Sequence, residues 1–151
     1  MTDIDIDEYQ RLCDQYADWL SGWSSTHDYD PTWDYTVAFE HRDHPLYRLA
    51  CEAAERVCAA AATNQRIPFA DARVYPVHLD GDVVAVYVSG TSSEPVVLVD
   101  IARHEAVEDP AEQRTAICDS VIHELRHACQ EAYELPACED EAEYGSSRLP
   151  F

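Results

Sequence analysis

Lysine is absent from this chain: all ten basic residues are Arg, set against 30 Asp and Glu. The formal charge is −20 and the pI lies near 4.4. A surface this acidic repels the phosphates of DNA and RNA and the headgroups of anionic membranes at ordinary ionic strength. Binding to nucleic acid or to a membrane is therefore excluded as an expected function. No apolar run is long enough to span a bilayer. The segment Met1-Thr2-Asp3-Ile4-Asp5 is acidic and has no apolar stretch of the kind a signal peptide needs. A cytoplasmic protein is expected. Missing Lys beside abundant Asp and Glu also suits a cell rich in salt, where ions screen the self-repulsion. A GC-rich genome that favours Arg codons is the plainer source of the same bias.

A C-x-x-C pair is also lacking. The six cysteines are Cys13, Cys51, Cys58, Cys118, Cys129 and Cys138. Without that spacing a cysteine-held structural zinc has little support, and without a secretory segment the thiols read as reduced, small apolar residues. Repeats, low-complexity tracts and linkers are absent as well. With 151 residues the chain is long enough for one domain with a proper core.

Helical spacing of Tyr9, Leu12, Cys13, Tyr16, Leu20 and Trp23 predicts a first helix over 5–23. A polar, irregular stretch follows over 24–44. Pro45 then opens a second helix over 45–63, carrying Leu49, Ala53, Val57 and Ala60. After that the period changes to two. Residues 73–89 read as a hairpin turned at Asp80-Gly81, and 95–101 as a third strand apolar enough to be central. Asp109-Pro110 then marks a helix start, and Ile117, Val121, Leu125, Ala128 and Ala132 recur at helical spacing over 110–134. Pro136 stops that helix, and 137–147 reads as a short last one. The expected fold class is α+β: two N-terminal helices, a small three-stranded, mostly antiparallel sheet, a long helix and a short C-terminal helix.

The long helix carries His123-Glu124-Leu125-Arg126-His127, an H-E-x-x-H motif. Residues i and i+4 of a helix lie one above the other, so both imidazoles can face one ion. A catalytic Zn²⁺ needs three protein ligands and one open position, and the Glu inside the motif suits a general base. The third ligand must come from the acidic segment after Pro136, which holds Cys138, Glu139, Glu141 and Glu143.

That segment resembles the gluzincin group of metallopeptidases, whose second helix supplies a Glu ligand in a pattern like E-x-E-A-[DN]-x-[FY]-A. The matching residues are Glu139, Glu141, Ala142, Glu143, Tyr144 and Gly145. The resemblance implies that Glu139 joins His123 and His127 on Zn²⁺, that Glu124 is catalytic, and that Glu143 stands where the group has an Asp or Asn orienting a ligand His. By residue type alone Glu141, Glu143 and Cys138 could each stand in for Glu139. The short spacing from His127 to Glu139 requires the long helix to end soon after Tyr133. The element order is similar to that of compact ImmA/IrrE-like metallopeptidases, which implies one zincin-like domain over 1–151 with an edge strand beside the metal that pairs with extended substrate. The motif match covers about 115–150.

The expected function is zinc-dependent hydrolysis of a peptide bond in a protein or peptide substrate, by limited proteolysis. Tyr133, Tyr144, His104 and Arg126 are candidates for stabilising the oxyanion. The competing expectation is a non-catalytic regulatory or accessory module that keeps the fold. Such a module has no need of Glu124. Oligomeric state is not readable from the residues.

Overall fold

The computed structural model describes residues 7, 41–79 and 82–151. Apart from Asp7, the first expected helix lies outside them, as do nearly all of the loop after it and the Asp80-Gly81 turn signal. The described elements are α1 (Pro45–Ala60), β1 (Arg73–Val77), β2 (Ala85–Tyr87), β3 (Val96–Asp100), α2 (Ile101–Glu105), α3 (Pro110–Ala132) and α4 (Glu139–Tyr144). The class is α+β, with four helices and a three-stranded sheet among the described residues.

Local chemistry explains the helix starts. His44 caps α1 by accepting the Leu46 N–H on Nδ1 at 3.0 Å, with Pro45 at the first turn. Asp109 caps α3 through Ala111 N–H at 3.3 Å, again with Pro next in line. Asp100 ends β3 and caps the short α2, which sequence periodicity did not anticipate. Five residues are too few to display a helical period.

The sheet corrects two expectations. Its order is β1-β3-β2, so 73–77 and 85–87 do not form a hairpin; each pairs with β3 instead. The longer pairing, β1 with β3, is parallel, and only β2 with β3 is antiparallel. The sheet is thus mixed rather than mostly antiparallel. The reason lies in β3, every residue of which is buried. A strand apolar on both faces is stabilised most in the middle, with both edges hydrogen-bonded and both faces covered. Turn chemistry at Asp80-Gly81 cannot outweigh that. The expectation that Val96-Val97-Leu98-Val99 is central holds.

α3 lies against α1 and against the β2 side of the sheet. Its Ile117, Val121, Leu125 and Ala128 are fully buried in a cluster with Ala50, Ala53 and Ala54 of α1 and Val97 and Val99 of β3. Truncating a buried Leu to Ala costs about 2–5 kcal/mol, so this stripe fixes the rotation of α3 about its axis. The two motif histidines sit on the side of α3 left over. No helix among the described residues is long and apolar enough to cross a membrane.

Candidate metal centre

Helix geometry alone brings the two rings together. His123 and His127 stand one turn apart, with ring centroids 4.9 Å apart, planes tilted by 73°, and Nε2 atoms 3.2 Å from each other. α3 then stops at Ala132 with a hydrogen-bonded reversal. Leu135 N–H bonds to Gln130 C=O at 2.8 Å and Glu134 N–H to Glu131 C=O at 3.0 Å. Glu134 occupies the left-handed position of this motif, at φ +57°, where Gly is usual. The chain turns at once and α4 comes back across α3, as the short spacing required.

α4 delivers Glu139 to the rings. Its Oε2 lies 3.0 Å from His123 Nε2 and its Oε1 3.1 Å from His127 Nε2. Glu143, one turn on, takes His123 Nδ1 at 2.9 Å through Oε2. Glu141 is engaged elsewhere. Glu141 is buried, and accepts hydrogen bonds from Ser146 Oγ (2.6 Å), Arg148 Nε (2.9 Å) and Gln130 Nε2 (3.0 Å). These hold its carboxyl down at about 2, the Ser146 bond contributing most. Cys138 is the N-cap of α4 and meets Gln130 through its backbone.

The donor set itself tests the fit to a cation. Glu143 is acceptor-only when ionised, so His123 Nδ1 meets it as the donor and Nε2 turns to His127 and Glu139. His127 Nδ1 lies 2.8 Å from Gln130 Oε1. The orientation of that amide is not arbitrary: Gln130 Nε2 faces two acceptors, Cys138 C=O at 3.1 Å and Glu141 Oε1 at 3.0 Å. Oε1 must therefore face His127, whose Nδ1 is the donor and whose Nε2 turns to His123 and Glu139. Two Nε2 atoms and a carboxylate thus converge within 3.0–3.2 Å. A proton on one Nε2 leaves the other ring's lone pair against the carboxylate, and protons on both meet the two carboxylate oxygens but set two N–H groups 3.2 Å apart. A dication satisfies all three. Tetrahedral ligands at the usual Zn–N and Zn–O distances stand about 3.3 Å apart, a few tenths of an ångström more than seen here. The residues fit zinc.

Besides Glu143, which meets His123 on its Nδ1 side, two acids approach the Nε2 side of the ring pair. Glu124 has an oxygen within 4.8 Å of ligand atoms on both rings, whereas Glu139 is at 3.0 and 3.1 Å. The shorter contacts make Glu139 the candidate ligand. Glu124 Oε2 instead accepts the Tyr87 N–H at 2.8 Å, and Oε1 has no partner among the described residues. Burial pushes the Glu124 carboxyl up to about 8; the Tyr87 bond pulls against this and the nearby Glu139 charge adds to it. A dication beside it favours the ionised form.

Beside the rings runs a groove of about 410 Å³, lined among others by Ala85, Tyr87, Glu124, His127, Glu131 and Glu139. Glu131, one turn beyond His127, fastens its wall. It accepts a very short hydrogen bond from the Tyr87 hydroxyl and the N–H of Gly90 at 3.0 Å.

Two of the oxyanion candidates are committed to other contacts. His104 is buried between Asp100 C=O (2.7 Å) and Ser120 Oγ (2.9 Å). Arg126 directs its N–H groups at Ala142 C=O (2.8 Å), Glu143 C=O (3.0 Å) and Phe151 C=O (3.0 Å). The Tyr133 hydroxyl is buried with no partner among the described residues. Tyr144 is 81% exposed at the end of α4.

Sequence reasoning missed Gln130, Glu131 and Tyr87. For Gln130 a signal existed: a polar residue three places after His127, within the buried run Ala128-Cys129-Gln130. No family model, curated protein or solved structure matches the chain. The likeness to gluzincins therefore rests on the residues themselves.

Proposed function

We propose that this chain is a zinc-dependent metallopeptidase of the cytoplasm, with His123, His127 and Glu139 as metal ligands and Glu124 as general base. The observation that carries the reading is the convergence of two imidazole Nε2 atoms and a carboxylate at 3.0–3.2 Å, next to a carboxylate with one free oxygen. Zinc bound there supplies Lewis acidity, lowering the pKa of a water and polarising a carbonyl. The chain's own groups do the rest. Glu124 Oε1 accepts the proton of the attacking water while Tyr87 N–H holds Oε2 in place. The same oxygen then hands the proton to the leaving amine, and the peptide bond breaks to an acid and an amine.

The shape beside Glu124 favours an extended peptide as substrate. Asp100 N–H bonds Val84 C=O and Val88 N–H bonds Val96 C=O, both at 2.9 Å, so alternate residues of β2 face β3. Alternation turns the backbone of Ala85 and Tyr87 to the outer edge, and both line the groove. An extended chain adding to that edge brings its carbonyls past Glu124. The acidic surface disfavours nucleic acid as a partner.

The test is Glu124→Gln. The variant should keep its zinc, measured by mass spectrometry, and lose cleavage of a peptide library by about 100-fold or more. Equal cleavage by variant and parent would remove Glu124 from the mechanism. A parent that holds one zinc per chain and cleaves nothing in the library would leave a binding module.

A further inference from the structure

Gln130 is 1% exposed and sits between the two arms of the site. Its Oε1 receives the Nδ1–H of His127 at 2.8 Å. Its Nε2 donates to Cys138 C=O at 3.1 Å and to Glu141 Oε1 at 3.0 Å, and Cys138 N–H returns to Oε1 at 3.4 Å. Cys138 is the N-cap of α4, so the residue after it is Glu139. One amide thus contacts the ring that α3 supplies and the start of the helix that brings the carboxylate.

We infer that Gln130 is a positioning residue that locks both halves of the metal site together: it fixes the tautomer and plane of His127, and it sets α4 so that Glu139 meets the same point. The inference rests on the zinc reading of the site. An amide is the side chain that can do both tasks, because each arm needs the opposite polarity. His127 Nδ1–H needs an acceptor, whereas the α4 carbonyl and Glu141 need a donor. A carboxylate serves only the first, and an apolar residue serves neither. Inverting the amide breaks both at once, so the two arms hold each other in register. Arg126 also fastens α4, through Ala142 and Glu143 carbonyls at 2.8 and 3.0 Å, but it touches neither ring. Glu143 joins α4 to the other ring, His123, by its carboxylate at 2.9 Å, and Gln130 does the same for His127 from the α3 side, with a contact to the start of α4.

The test is zinc affinity, measured by competition with a chelator, in the full chain. Far-UV circular dichroism of the metal-free form checks the fold. Gln130→Met should weaken zinc by about 10–100-fold, the usual cost of an outer partner of a ligand. Against a Glu139→Ala background the α4 arm has nothing left to aim, so Gln130→Met should cost less there, though still something, through His127. Gln130→Glu keeps the acceptor for His127 and loses the donor towards α4. Its cost should be clear in the parent and close to nil beside Glu139→Ala. Each variant costing the same factor in both backgrounds would make Gln130 a packing residue and overturn the inference, as would unchanged affinity in Gln130→Met. A parent chain that takes up no zinc overturns the reading of the site and this inference with it. Hydrolysis is not a readout here, so a loaded but inactive parent leaves the inference standing.

Discussion

On α4, Glu139 has a side chain 79% exposed that reaches both rings, whereas Glu141, two residues on, is 6% exposed and receives hydrogen bonds from Ser146, Arg148 and Gln130. A step of two residues turns a helix by about 200°, so the two acids face opposite ways. Ala142 is buried beside Glu141, and Glu143 returns to the ring face beside Glu139. One short helix thus keeps a face that anchors it and a face that reaches the histidines. Identical side chains acquire different roles from phase alone. Composition cannot separate them; the packing of Ala142 and the placement of Gln130 and Arg126 do.

The largest effect should come from crossing the two faces. Glu139→Ala should cost more zinc affinity than the 10–100-fold typical of an outer partner, with the melting temperature of the metal-free chain little changed. Glu141→Ala should lower that melting temperature, because Gln130, Ser146 and Arg148 lose their shared acceptor. A Glu141→Ala chain that melts normally yet loses zinc as Glu139→Ala does would reverse the assignment of the two faces. Next comes Glu143. Removing it as Glu143→Ala should weaken zinc by about 10–100-fold, while Glu143→Gln, which still offers an oxygen to His123 Nδ1, should recover most of the loss. Equal losses in both would mean that charge rather than orientation matters there.

Acid should dissolve the anchoring face in a defined window. The Glu141 carboxyl is lowered from its ordinary 4.5 to about 2. A group whose folded value is depressed stabilises the fold fully above its unfolded value, and loses that contribution as pH falls through the folded one. The melting difference between parent and Glu141→Gln should therefore hold at neutral pH and shrink between about 4.5 and 2. A difference that persists below pH 2 would assign the effect to something other than this carboxylate. The smallest effect concerns the turn that joins α3 to α4. Glu134 holds φ +57° with no glycine to ease it. Left-handed backbone costs an L-residue about 1–2 kcal/mol, and Gly returns part of that as unfolded-state entropy. Glu134→Gly should stabilise by about 0.5–1 kcal/mol in thermal or urea unfolding. Destabilisation would mean that the Glu134 side chain contributes contacts of its own.

Much of this layout was legible in the residues. Asp109-Pro110 opens α3 and Pro136 follows its end, as their backbone chemistry requires. The i, i+4 histidines meet because helix geometry brings them to one face. The return of α4 in time to bring Glu139 followed from the short spacing. Illegible were the features that depend on tertiary choice. Strand order turned on which strand could be buried on both faces, and the Asp80-Gly81 signal spoke only for a local turn. The apolar face of α1 was read at Leu49, Ala53, Val57 and Ala60, but Leu46, Tyr47, Ala50, Ala53 and Ala54 are the residues buried. In an alanine-rich helix the stripe is too faint to phase without its partner. The spacing of Gln130 from His127 marks it only faintly, since its meaning lies in two further partners on another element.

The central claim is that His123, His127 and Glu139 grip one dication. Anomalous diffraction at the zinc edge, from crystals grown with one equivalent of zinc, tests it directly. A single peak about 2.0–2.2 Å from His123 Nε2, His127 Nε2 and a Glu139 oxygen is the expected result. A peak held by other residues, or none at all with the two rings intact, would contradict it.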